Sequence, residues 1–265
     1  MNKAAYKLKG LPPIYCINLD GEPHRWEAAE SMFKEWEVEN YTRVSAYDGR
    51  EDDLSDILKG KYPDGMTSGE VGCTTSHLKA MKMFLETDEP CALMMEDDCD
   101  ISTVFHWGFT WKDFYSKIPY DYDVIQLAII NPATVYAQLH RRFINDFSTA
   151  CYLITRHHAS KIMNTFVRGD NFKLDCGVKP RATSEDTILG SGKTYTIPLF
   201  LYRLDLGSAI HPEHIDIFHK NSHNALLNYW QQNGADLTID QLMNYDPYLN
   251  RISNPTPQPK PPETY

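Results

Sequence analysis

Residues 91–100 read Cys91-Ala92-Leu93-Met94-Met95-Glu96-Asp97-Asp98-Cys99-Asp100. Four apolar residues, Ala92 to Met95, follow Pro90 and run straight into Glu96, Asp97, Asp98 and Asp100. A short continuous apolar run after a proline reads as a strand buried on both faces, the kind found inside a parallel sheet. Like charges clustered where that strand emerges repel and raise one another's pKa unless a cation sits among them. Hard oxygen donors in that position suit Mn²⁺ or Mg²⁺, which would bridge to the phosphates of a bound ligand. A solvated acidic turn is the bland alternative, and the motifs on either side of the stretch weigh against it.

Upstream, Ile14–Leu19 is a buried strand after Pro12-Pro13, and Asp20-Gly21 turns the chain into a helix from Pro23 to Glu39. Trp26, Ala29, Met32, Phe33 and Trp36 recur at the spacing of one amphipathic face. Arg25 on its first turn, taken alone, reads as a solvated helix charge; its other reading is a partner for a phosphate or a base edge. A second strand, Tyr41–Tyr47, ends in Asp48-Gly49-Arg50. Asp48 stands where a carboxylate accepts from ribose hydroxyls, or else it serves only an Asp-Gly turn. Residues 51–68 read as a polar loop or lid. Ser68-Gly69-Glu70-Val71-Gly72-Cys73-Thr74-Thr75-Ser76-His77 then leads into a helix. Its two glycines would let backbone amides approach an anion, and His77 alone reads as a core histidine. The acidic strand follows, completing β-α-β-α-β, in which ligands bind beyond the carboxyl ends of the strands.

Downstream, a short helix is expected within Trp107–Phe114, with strands at Tyr122–Ile130, Phe147–Thr155 and Thr194–Leu204. Helices are expected after Thr155 and over Asn224–Gln232. The span from Asp170 to Gly192 reads as a polar loop holding Asp175, Glu185 and Asp186. Residues 1–254 are expected to form one domain. The last eleven, 255–265, are rich in proline and are expected to form an extended tail.

A formal charge of −10 (36 acidic against 26 Lys and Arg) argues against nucleic acid as a partner, since phosphate backbones need a basic surface. No run approaches the roughly 18 apolar residues of a membrane span, and the first eleven residues lack the apolar core of a signal peptide. Six scattered cysteines with no C-x-x-C pair imply reduced thiols, a cytoplasmic setting and neither a disulfide frame nor a zinc site.

Asp98-Cys99-Asp100 is also a D-x-D triplet, the pattern with which many nucleotide-sugar glycosyltransferases hold a diphosphate through a divalent metal. Five motifs in order resemble glycosyltransferase family 25, which includes lipopolysaccharide-type and collagen β-galactosyltransferases. They are Ile17-Asn18-Leu19 with Arg25, then Ala46-Tyr47-Asp48-Gly49, then Gly69-Glu70-Val71-Gly72-Cys73 with Ser76-His77. Met95-Glu96-Asp97-Asp98 and Thr149–Ile154 with Ala159 complete the set. The resemblance covers roughly residues 14–205. It implies a GT-A-like, Rossmann-type α/β fold, with a mixed, mostly parallel sheet flanked by helices. It further implies a UDP-sugar donor, a hydroxyl acceptor on a glycan or protein, Mn²⁺ (or Mg²⁺) and inversion at the transferred hexose, galactose or glucose. Peripheral membrane association would come only through the acceptor.

On that reading Asn18, Leu19, Arg25, Ala46, Asp48, Gly69, Gly72, Ser76, His77 and Asp97 line the donor site. Asp98 and Asp100 hold the metal, completed by His211 or His219; Asp97 or Glu96 stands behind those ligands or faces the sugar, and Glu96 is also a catalytic candidate. Inversion needs a carboxylate to take the acceptor's proton; Asp186 is the first candidate and Asp175 the second. Two rivals share the acidic strand end: a nucleotidyltransferase or phosphoesterase, and a nucleotide-sugar-binding protein without catalysis.

Overall fold

The computed structural model describes residues 2–60, 65–131, 134–176, 183–207 and 218–244, and the backbone of 251–253. His211 and the proline-rich tail 255–265 lie outside the described residues.

In chain order the strands are β1 (Ile14–Leu19), β2 (Tyr41–Ala46), β3 (Cys91–Glu96), β4 (Cys99–Asp100), β5 (Val124–Gln126), β6 (Thr134–Tyr136), β7 (His140–Arg141), β8 (Cys151–Thr155), β9 (Val167–Arg168), β10 (Asn171–Phe172), β11 (Thr194–Thr196), β12 (Leu201–Tyr202) and β13 (Arg251–Ser253). The helices are α1 (Pro23–Glu35), α2 (Ser68–Leu85), α3 (Trp111–Tyr115), α4 (Arg156–Phe166), α5 (Lys220–Asn233) and α6 (Ile239–Met243).

The main sheet has seven strands in the order β2-β1-β3-β8-β5-β11-β7. The pairs β2/β1, β1/β3 and β5/β11 are parallel, while β8 runs antiparallel between β3 and β5 and β7 antiparallel at the edge. The sheet is therefore mixed and largely parallel. Apolar residues alternate between its two faces, so each central strand reads as a continuous apolar run. Cys91, Leu93 and Met95 of β3 join Cys16 of β1 and Leu153 of β8 under α1, packed by Ala29 and Phe33. Ala92 and Met94 face the other way, with Ile17 and Ile154, onto Val71, Leu78 and Phe84 of α2 and Ile162 of α4. Each fully buried Leu, Ile, Val, Phe or Met among them contributes about 1.5–3 kcal/mol.

Several elements are shorter than the apolar pattern suggests, each for a local reason. Helix α1 stops at Glu35 rather than Glu39. Glu37 takes φ 55°, and Glu37 N–H and Val38 N–H bond back to the carbonyls of Lys34 and Phe33, a Schellman closure. The strand expected from Phe147 begins only at Cys151, after Ser148 at φ 90°. Of Tyr122–Ile130 only Val124–Gln126 is strand. Within Trp107–Phe114 the helix is only α3, which opens at a Thr110–Asp113 capping box; a separate 3₁₀ turn, Ser102–His106, precedes it. Thr194–Leu204 splits around Pro198, which has no N–H to donate; its second part, β12, pairs with β4. The presumed loop around Asp186 is a π-helical turn, Glu185–Leu189.

Candidate active site at the carboxyl ends of the parallel strands

The parallel register sets Leu19 beside Ala46 and Ile17 beside Glu96, so β1, β2 and β3 end together. Antiparallel β8 enters the sheet at this edge, pairing Cys151 with Met95, and brings Ser148 and Thr149 to the same place. Two cavities open there. The smaller, about 110 Å³, is walled by Asn18, Leu19, Arg25, Ala46, Tyr47, Asp48, Gly49, Arg50, Gly69, Ser76, His77 and Asp97. The larger, about 880 Å³, has Arg142, Phe147, Thr149, Ser184, Glu185, Asp186, Tyr202 and His219 on its walls. Cys73, Glu96 and Asp98 line both, so the cavities adjoin at these three side chains.

Asp97 and Asp98 form the turn between β3 and β4. Asp97 is buried and fully engaged: Asn18 Nδ2 donates to its Oδ2 at 2.7 Å, and Arg25 Nε and Nη2 donate to its Oδ1 at 2.8 and 2.5 Å. Arg43 in turn donates to Asn18 Oδ1. Arg25 Nη2 also lies 3.1 Å from Asp98 Oδ2. Arg25 is thus a buried clamp and not the solvated charge its helix position suggests. Burial works against the guanidinium, yet its hydrogen bond to Asp97 and the charges of Asp98 and Asp97 outweigh it and raise its pKa. Arg25 Nη1 reaches on to the carbonyls of Leu206 and Gly207, tying the chain after β12 to this edge.

Asp98 differs from its neighbour. Its Oδ1 is sealed from solvent and has no hydrogen-bond partner among the described residues. Burial first, then the charge of Glu96, push its pKa up to about 7, against the pull of Arg25. Glu96 is held below its ordinary value, because hydrogen bonding and charge from His77, together with Thr149, exceed the effect of burial. His77 is fully buried, with Nε2 3.2 Å from Glu96 Oε1 and Nδ1 3.0 Å from Tyr152 Oη. Thr149 Oγ1 donates to Glu96 Oε1 at 2.9 Å, and Ser184 Oγ lies 3.0 Å from Thr149 Oγ1 and 3.6 Å from Cys73 Sγ. Cys73, His77 and Glu96 present ligand atoms within 4.8 Å of one another, with their hydrogen bonds shared among these hydroxyls.

The glycine motif serves packing. Helix α2 begins at Ser68 and takes both glycines into its first turns, capped by a reciprocal Thr67–Glu70 box. A Cβ on Gly72 would meet Gly49 N at 2.5 Å and Tyr47 O at 2.6 Å, so the helix lies directly on the loop that walls the smaller cavity. Ser76 Oγ accepts the Tyr47 N–H at 2.8 Å. Asp48 accepts from Arg50 Nε and Nη2, which hold its carboxyl below the usual range.

The residues expected at the donor site are therefore gathered at one place, with Gly72 directly behind the wall. The expected metal ligands are not all gathered. Asp98 and His219 face the larger cavity. Asp100 lines neither cavity and accepts from Ser102 N and Oγ. Of the candidate bases, Asp186 lines the larger cavity, as does Glu96; Asp175, ion-paired to Lys173, lines neither. Cys73, Thr149, Ser184 and Arg142 were not singled out from the sequence. The first two lie inside the quoted motifs and were within reach; nothing local marks Ser184 or Arg142.

Among the described residues no helix is long and apolar enough to cross a membrane, and Cys16, Cys73, Cys91, Cys99 and Cys151 are free thiols.

No curated protein matches the chain in sequence. Among solved structures, the inositol-1-phosphate CTP transferase from T. maritima is similar over 79% of this chain and 96% of its own, at 12% identity and a TM-score of 0.39. The profile described as glycosyltransferase family 25 (LPS biosynthesis protein) matches residues 11–175, more than half of the sequence and all of β1 to α4. The chain belongs to glycosyltransferase family 25.

Proposed function

We propose that this chain transfers a hexose, galactose or glucose, from a UDP-sugar to a hydroxyl on a glycan or protein, with inversion and with help from Mn²⁺ or Mg²⁺. The observation that carries the reading is the meeting of two cavities at Asp98, Glu96 and Cys73. The smaller, between the ends of β1 and β2, takes the nucleotide, with Asp48 and Arg50 toward the ribose and Asn18, Arg25 and Asp97 fixing the floor. The larger takes the acceptor.

The donor set at the junction fits a hard divalent ion. Asp98 Oδ1 is buried without a partner, an arrangement that costs free energy unless something positive completes it. Such ions are commonly held by one or two carboxylates plus substrate phosphates and water; here Asp98 would be that carboxylate, and His219, which lines the same larger cavity, would be the second ligand. A cation bound there would neutralise charge on the departing diphosphate. Asp100, held by Ser102, has no part in this scheme.

The remaining chemistry belongs to the chain. Glu96, oriented by His77 and Thr149, borders the transferred sugar. Asp186, on the π-helical turn facing the larger cavity, takes the acceptor hydroxyl's proton on the side of the sugar opposite the leaving group. Incubation with a panel of UDP-sugars and Mn²⁺, with products resolved by chromatography, tests the proposal. Release of UDP is expected. Release of UMP or inorganic phosphate instead, or tight binding with no turnover of any donor and acceptor tried, would refute it.

A further inference from the structure

The larger cavity has a basic corner that the transfer chemistry leaves unused. Arg141 and Arg142, at the end of β7 and just after it, both line the cavity. Arg141 is exposed, and its guanidinium carbon lies 5.0 Å from the ring centre of Tyr195 on β11.

Arg142 is half-buried and more tightly placed. Its backbone N–H bonds to Thr194 O, and its Nε donates to the carbonyl of Asp146 at 3.1 Å. The head is thereby aimed, yet its two terminal nitrogens have no acceptor among the described residues. Asp146, the carboxylate closest in sequence, is spent on Asn131, His140 and the Phe143 N–H. Burial pulls the pKa of Arg142 down, against the charges of Asp146, Glu185 and Asp186, none of which forms a salt bridge with it among the described residues. On a chain with 36 acidic and 26 basic residues, Arg142 thus keeps a partly desolvated guanidinium on the cavity wall with no salt bridge among the described residues. Ile144 and Phe147, exposed on the same wall, offer apolar surface beside it.

We infer that Arg142, with Arg141 beside it, forms an anion subsite that holds a phosphate or carboxylate group on the acceptor saccharide. The planar guanidinium fork matches both groups through paired hydrogen bonds. Phe147 and Ile144 then meet the C–H face of the ring carrying the anion. The inference rests on the larger cavity being the acceptor side. The smaller cavity contains neither arginine, which sets this subsite apart from the nucleotide.

Binding of defined probes tests it without turnover. Glucose 6-phosphate, glucuronate and methyl glucoside, and separately UDP with Mn²⁺, are titrated against wild type, Arg142→Gln and Arg142→Lys by thermal shift. We expect at least one of the two acids to stabilise wild type and methyl glucoside not to. In Arg142→Gln the acid should bind about tenfold more weakly or worse, in Arg142→Lys less weakly, with the UDP response unchanged in both. An acid response equal in wild type and Arg142→Gln, or no acid response in wild type, overturns the subsite. Loss of the UDP response in Arg142→Gln assigns the arginine to the donor's diphosphate and overturns it equally. Failure of UDP to bind wild type is a separate result, which strikes at the proposed transferase reading.

Discussion

Arg25 and Asp97 stand 72 residues apart in the chain, and their side chains, 8% and 7% exposed, meet through two hydrogen bonds from one guanidinium to one carboxylate oxygen. The contact fastens the start of α1 to the turn after β3, and Arg25 also holds the carbonyls of Leu206 and Gly207. Removing one member of a buried pair leaves the other charged and alone, which typically costs about 3–5 kcal/mol. Arg25→Ala is therefore expected to lower unfolding free energy by about that amount in urea titration. Arg25→Lys should recover only part, since an ammonium cannot span Asp97 and Asp98 together. An alanine variant as stable as wild type would show the clamp to be incidental.

Asp98→Asn keeps the shape of the side chain and removes an ionisable group that burial already disfavours as an anion. Thermal stability should be unchanged or slightly higher. Metal-dependent UDP release should fall by more than the roughly 10–100-fold typical of groups one step removed from a metal. Asp100→Asn should leave Mn²⁺ dependence as in wild type, because its carboxylate is occupied by Ser102. Mn²⁺ titration of activity in the two variants distinguishes them, and equal losses would contradict the assignment.

Asp186→Asn should reduce kcat by about 10²–10⁴-fold, the usual contribution of a general base, with UDP binding retained. Asp175→Asn should have little effect on turnover, since Asp175 pairs with Lys173 away from both cavities. Full activity in Asp186→Asn would point to Glu185 or Glu96 as the proton acceptor.

Gly72→Ala drives a Cβ into the backbone at Gly49 and Tyr47, where nothing can rotate aside. Overpacking of this kind costs about 1–3 kcal/mol, and here it also pushes the 47–50 loop off the smaller cavity. Weaker UDP binding together with a lower urea midpoint is expected. Gly21→Ala, with no atom within 4 Å of the added Cβ, serves as the silent comparison.

His158 is buried, its Nε2 3.0 Å from Ile188 O and its Nδ1 without a hydrogen-bond partner. Burial lowers its pKa from 6.5, so the unfolded chain takes up the proton first as pH falls. The stability tied to neutral His158 is then complete above about pH 6.5 and lost progressively as pH drops toward the folded value. Urea midpoints measured from pH 8 to 5 should decline more steeply in wild type than in His158→Gln. Parallel curves would mean that other groups set the slope.

Much of the architecture was open to reading because it rests on one-dimensional patterns. Ile14–Leu19 and Cys91–Glu96 are strands because unbroken apolar runs fit only a layer covered on both sides, and the loops beyond them hold the site because parallel strands end together. Boundaries set by single backbone conformations were not readable, as at Glu37 and Ser148, where residues other than glycine adopt positive φ. Arg25 was misjudged for a related reason, since an arginine on the first turn of a helix looks the same in sequence whether it meets water or Asp97.

From its residues alone this protein declares a mostly parallel α/β sheet, an acidic strand end and a set of motif residues from Asn18 to Asp97 that meet at one place, since periodicity and short motifs act locally. Only the tertiary structure decided that β8 runs against its neighbours and delivers Thr149 to Glu96. It also decided that Asp98 keeps a bare buried oxygen while Asp100 turns away to Ser102. Those outcomes depend on pairing between distant segments and on which partner reaches each carboxylate first, and spacing along the chain carries no record of either.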